Sequence, residues 1–175
     1  MSDPQGWFNS GDLGWVTPMG DLILTGRAKD TIVLTNGENI EPQPIEDACV
    51  RSPYISQIML VGQDQKSLGA LIVPNLEALQ QWAQAQNLDL QFPESATSLT
   101  ADSDLYHSAV QELFRRELTQ EVKNRPGYRP DDQIKVFRFI VEPFSQENGM
   151  MTQTLKIKRP VVTERYRAMI DEMFR

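Results

Sequence analysis

Cysteine, histidine, positive charge and long apolar runs are all scarce in this chain, and each scarcity removes a class of chemistry. Cys49 is the only cysteine, so no disulfide can form within the chain and a reducing compartment is expected. It falls at an apolar helical position and reads as a small core residue. His107 is the only histidine, which excludes His-based metal clusters and Ser-His-Asp triads. A net charge of −7 and a pI near 4.8 argue against nonspecific binding to DNA or RNA. No apolar run approaches the ~20 residues that a membrane span requires. Met1–Ser10 lacks the charged and apolar regions of a signal peptide, so a cytoplasmic location is expected. No glycine-rich loop ending in Gly-Lys-Ser/Thr is present either, which leaves any nucleotide phosphates without that cradle.

What the chain does have is ordinary globular composition, with 40% hydrophobic and 23% charged residues over 175 positions. That length supports one sizeable core, with a short appendage. Met1–Gln5 reads as a loose leader. Trp15-Val16 and Leu22–Leu24, separated by the turn residues Pro18, Met19, Gly20 and Asp21, predict a hairpin. Thr31–Leu34 predicts a short buried strand that stops at Asn36-Gly37, a dipeptide suited to positive φ. Ile45, Ala48 and Cys49 space as one face of a short helix ended by Arg51-Ser52-Pro53.

Ile55–Val61 and Leu68–Val73 predict two further strands around a polar loop, as suits an antiparallel pair. Asn75 then caps a helix to about Gln86, with Leu76, Leu79 and Ala83 on one face. Asn87–Asp102 reads as a loop. Asp104–Asn124 predicts the longest helix, whose stripe Val110, Leu113, Phe114, Leu118 and Val122 is a core face. Ile134–Val141 predicts a third strand, with Val136, Phe139 and Val141 inward. Pro160 starts a last helix to about Phe174, with Val162, Tyr166, Met169, Ile170 and Met173 as its apolar side. Arg115, Arg116, Lys123, Arg125 and Arg129 form a basic patch, read either as a solvated face or as a dock for an acidic protein or a phosphate-bearing ligand.

Three stretches carry chemistry: Trp7-Phe8-Asn9-Ser10-Gly11-Asp12-Leu13-Gly14, the segment from Gly26 to Asp47, and Met150–Arg159. Together they resemble the C-terminal domain of adenylate-forming acyl ligases, most closely the long-chain acyl-CoA and acyl-ACP synthetases. The resemblance implies an α+β fold: a two-stranded hairpin, then a three-stranded antiparallel sheet flanked by helices. It implies that residues 1–26 end the large N-terminal domain and that 27–175 form the small lid domain. Asp12 matches the aspartate that holds the ATP ribose, with Ser10 where threonine is commoner. Arg27 matches the arginine that contacts the ribose hydroxyls and phosphates, a task suited to its planar fork of donors. Lys29 matches the hinge about which the lid rotates. Gly37 and Glu38 match the loop lining the tunnel for the pantetheine arm of the thiol acceptor. Lys156 matches the catalytic lysine, with Lys158 as its rival, because Gln153 replaces a usual proline and Leu155 a usual glycine.

The implied activity is ATP-dependent activation of a fatty acid to acyl-AMP, then transfer of the acyl group to coenzyme A or acyl carrier protein. ATP and Mg2+ are the implied cofactors, the Mg2+ ligand lying outside this chain. The implied partner is the N-terminal domain of the same enzyme, and the chain alone is expected to be inactive. Peripheral membrane attachment of the full-length enzyme is left open. A different class of reading is a free-standing module that binds a carrier protein or regulates another ligase without catalysis.

Overall fold

A computed structural model describes residues 6–95, 99–100 and 102–175; the expected leader and part of the expected 87–102 loop lie outside these. The chain opens with an antiparallel hairpin of β1 (Asp12–Val16) and β2 (Leu22–Arg27). A short 3-10 turn, Ala28–Asp30, leads to a second small pair, β3 (Ile32–Val33) and β4 (Asn39–Ile40). Then follow α1 (Pro42–Cys49), β5 (Ile55–Val61), β6 (Leu68–Pro74), α2 (Leu76–Ala85) and α3 (Ser108–Lys123). The chain closes with β7 (Ile134–Phe139), α4 (Arg159–Arg165) and α5 (Arg167–Met173).

The α+β class expected from the sequence is present, but the three-stranded sheet is mixed. Its order is β5-β6-β7, with β5 antiparallel and β7 parallel to β6. The reason lies in the connection: α2 and α3 intervene between β6 and β7, and a helical crossover of that length returns the chain in the same direction. β6 is buried along its whole length, as a central strand covered on both faces should be.

Side-chain alternation divides the interior into two cores. Ile58, Leu60, Leu68, Ala70 and Ile72 pack with α1, α2 and α3, where Phe114 meets Phe139 edge-on at 4.8 Å between ring centroids. Met59, Val61, Leu71 and Val73 face the other way and pack with Met150, Val162 and Met173 of the C-terminal segment. Gly69 makes this second layer possible, since a Cβ there would lie 2.7 Å from Phe174 Cζ.

Two expected helices are interrupted. Asp104–Tyr106 is a 3-10 turn separated from α3 by His107, whose extended ψ of 139° turns the chain and whose Nδ1 accepts a hydrogen bond from the Ala109 amide. Tyr166, with φ −108° and ψ 20°, divides the last helix into α4 and α5. Val136, expected inward, is only half-buried, whereas Phe137 is buried. Among the described residues no helix is long and apolar enough to cross a membrane.

Candidate functional site

Strand pairing brings Asp12 and Arg27 together. They are register partners at the open end of the hairpin, and Arg27 Nε lies 3.5 Å from Asp12 Oδ1. Both side chains remain partly exposed, so carboxylate and guanidinium are offered side by side to solvent. Lys29 follows in the 3-10 turn, also exposed.

Lys156 sits on a tightly tied turn. The Thr152 amide donates to the Lys156 carbonyl at 2.8 Å, the Leu155 amide to the Thr152 carbonyl at 3.0 Å, and the Lys156 amide to Thr152 Oγ1 at 3.1 Å. A bridge between Met151 and Ile157, and a bond from the Lys158 amide to the Met150 carbonyl, close its base. Leu155 adopts φ +58°, a left-handed conformation that disfavours a branched side chain and that glycine enters freely. This gives a backbone reason for the glycine expected at that place. The Lys156 ammonium is exposed at the tip, as is that of Lys158.

One cleft of about 1130 Å³ gathers these groups. Arg27, Lys29, Lys156 and Lys158 line it, with Arg159 and Asp30, over an apolar floor that includes Met59 and Ile170. With Arg167 there are five exposed cations on the cleft, set against the acids Asp30, Asp64, Glu164 and Asp171, and the cationic excess suits an anionic ligand such as a nucleotide phosphate. Asp12 stands beside this group through Arg27 and is not itself part of the lining.

Gly37 and Glu38 lie outside the cleft lining, on a separate corner. Gly37 has φ +84° and its amide donates to the Leu34 carbonyl at 2.9 Å, which makes the tight turn expected of Asn36-Gly37. Arg129 braces this turn, its Nη1 3.2 Å from Glu38 Oε2 and its Nη2 donating to the Asn39 carbonyl at 3.0 Å. Asn36 Nδ2 donates to Asp131 Oδ1 at 3.1 Å. Buried Asp132 in turn holds both Arg125 and Arg129. The basic patch is thereby partly spent on internal pairs, and Arg115, Arg116 and Lys123 are its exposed remainder on α3.

Sequence reasoning missed the groups that support these side chains. Glu46 is buried on α1 and pairs with Arg159, while Arg129 and Asp132 brace the Gly37 turn. A signal existed for Glu46, an acid beside Ile45 on the helix face that carries Ala48 and Cys49. Its carboxyl is held above the usual range, chiefly by burial, against the opposing pull of Arg159. Burial likewise pushes the Cys49 thiol up to about 12, and the thiol is fully enclosed. Among the described residues no group of three or more His, Cys, Asp or Glu is placed to hold a metal ion.

A small mixed sheet between two helical layers, followed by an exposed lysine turn, defines a small α+β domain. The chain belongs to the AMP-binding enzyme C-terminal domain family, whose model matches residues 29–175. It is 38% identical to the probable acyl-activating enzyme 16 of the Arabidopsis thaliana chloroplast over 99% of this chain and 24% of that protein. It is 40% identical to a chloroplastic long-chain-fatty-acid acyl-carrier-protein ligase of the same plant, over 97% of this chain and 22% of that one. Identity to human long-chain-fatty-acid–CoA ligase 1 is 32%, over 98% and 23%. The chain thus spans about a quarter of the length of these curated relatives. Its fold resembles the A domain of a carboxylic acid reductase from Segniliparus rugosus, with a TM-score of 0.78 at 22% identity, covering 99% of this chain and 24% of that one.

Proposed function

We propose that this chain is the lid of a fatty acid ligase that passes its acyl group to coenzyme A or an acyl carrier protein. In this reading residues 1–26 end a large N-terminal domain and 27–175 form the moving part. The observation that supports it most is the exposed Lys156 on a rigid turn, sharing a cleft with Arg27 and Lys29.

Asp12 would accept hydrogen bonds from the ribose hydroxyls of ATP, and Arg27 would bridge ribose and phosphate. During attack of the fatty acid carboxylate on the α-phosphorus, negative charge grows on the phosphoryl oxygens as pyrophosphate leaves. The Lys156 ammonium would stabilise that state more than the ground state. The acyl adenylate then meets a thiol, whose sulfur forms the thioester as AMP departs and the thiol proton is released. For that step Lys156 must withdraw and the Gly37–Glu38 turn must approach, so Lys29 would absorb a change in φ and ψ. Mg2+ would be held by the partner domain.

The test supplies the missing body. Co-expression with the N-terminal domain of a relative should restore acyl thioester formation from fatty acid, ATP and thiol, while the chain alone gives none. Robust activity of the chain alone, or no activity in any such pairing, contradicts the proposal.

A further inference from the structure

The bonds that shape the Lys156 turn run mostly within residues 150–158, and its base is tied at Met151, whose amide donates to the Ser145 carbonyl at 2.9 Å, and at Met150, whose amide donates to Asn148 Oδ1 at 3.2 Å; none of these reaches α1 or the Lys29 turn. Met150 and Val162 anchor its flanks in the second core, but apolar contact carries little direction. The directional tie to α1 and the Lys29 turn comes from Arg159, the residue that leaves the turn and begins α4. Its Nη2 donates to Glu46 Oε2 at 2.5 Å, across 113 residues of sequence. Glu46 Oε1 accepts from the Leu60 amide at 2.7 Å, which ties the same carboxylate to the free edge of β5. On its other side Arg159 Nε lies 4.0 Å from Asp30 Oδ2, next to Lys29 in the 3-10 turn.

This arrangement is poorly suited to stability alone. Two charges leave water, and Arg159 Nη1 is buried without a hydrogen-bond partner among the described residues. A buried pair of this kind can often be replaced by apolar groups without loss, while a missing partner is a penalty. What the pair does supply is a bidirectional fix: one guanidinium faces helix α1 and the turn of Lys29 while its backbone continues from Lys156.

We infer that Glu46 and Arg159 are positioning residues whose buried ion pair clamps the Lys156 turn onto α1 and the Lys29 turn, setting where the ammonium can reach. Its catalytic meaning rests on the reading of Lys156 above; the clamp itself does not.

Two measurements separate these. On the chain alone, hydrogen exchange follows the bonded amides of Thr152, Leu155, Lys156 and Lys158 in Glu46→Gln, Arg159→Met, the double variant and Arg159→Lys. The turn amides should exchange at least about tenfold faster in the first three, with Leu71 and Ile72 amides in β6 unchanged, and Arg159→Lys should recover much of the protection. The double variant removes both charges together, so it stays folded if either single variant does not. Unchanged turn exchange, or an equal rise in β6, overturns the clamp. In enzyme completed with an N-terminal domain, Arg159→Met should lower kcat for adenylation about tenfold at unchanged KM for ATP, with Arg159→Lys partly rescuing it. Loosened exchange with full kcat overturns the positioning role. A silent Lys156→Ala overturns the reading of Lys156 instead, and the clamp then stands or falls on exchange.

Discussion

Leu22-Ile23-Leu24 and Leu71-Ile72-Val73 are both runs of three aliphatic strand residues, yet they have opposite fates. The first is 66%, 41% and 63% exposed, and the second 0%, 0% and 4%. Composition does not separate them; a second layer does. β6 has helices on both faces, whereas the β1–β2 hairpin meets α1 at the Thr25–Gly26 end of β2 and leaves Trp15 and Val16 in the open. A contiguous apolar surface of this sort marks a contact with another body. In the proposed reading that body is the large domain, which residues 1–26 would end, while residues 27–175 would stand by themselves.

The sharpest way to break this comparison is matched truncation. Phe114→Ala removes a fully buried ring from the first core and should cost about 3–5 kcal/mol in urea unfolding. Leu24→Ala in the hairpin should change stability by less than about 0.5 kcal/mol. Equal losses at the two sites would mean that hairpin and body fold as one packed unit.

A second prediction sharpens the picture of the enclosed core. An unfolded thiol ionises near 9.0, while enclosed Cys49 keeps its proton to about 12. Its contribution to stability is therefore whole below pH 9 and falls as pH rises from 9 toward 12, by about 1.4 kcal/mol per pH unit. Cys49→Ala should remove that share of the alkaline slope, measured against the parent chain. Identical slopes would place the thiol in contact with water.

The smallest effect concerns the Lys156 turn. Leu155 at φ +58° carries about 1–2 kcal/mol of left-handed strain, partly offset in a glycine variant by the greater freedom of its unfolded chain. Leu155→Gly should therefore raise stability by less than about 1 kcal/mol in urea unfolding, and a net loss would show that the exposed leucine side chain makes a contact worth keeping.

Most strands and helices were legible because burial follows period: the α3 stripe and the alternating faces of β5 and β6 are written in the chain. The direction of β7 was not: an antiparallel sheet was expected, whereas the helices between β6 and β7 return the chain parallel to β6, and local alternation says nothing about strand direction. The breaks at His107 and Tyr166 depend on single backbone angles that their side chains do not dictate. In the site, Lys156, Arg27 and Lys29 were found by motif and do share one cleft. The Glu46–Arg159 pair was out of reach because it joins residues 113 apart, and no local pattern encodes such a meeting.

In the proposed reading this lid delivers the charge of Lys156 to a nucleotide held by another body. Single-turnover kinetics of the two half-reactions in completed enzyme test it most directly. Lys156→Ala should slow adenylation by ~100–1,000-fold and leave thioester formation from supplied acyl adenylate near the parent rate. Adenylation that survives Lys156→Ala and fails in Lys158→Ala, or that survives both, would contradict it.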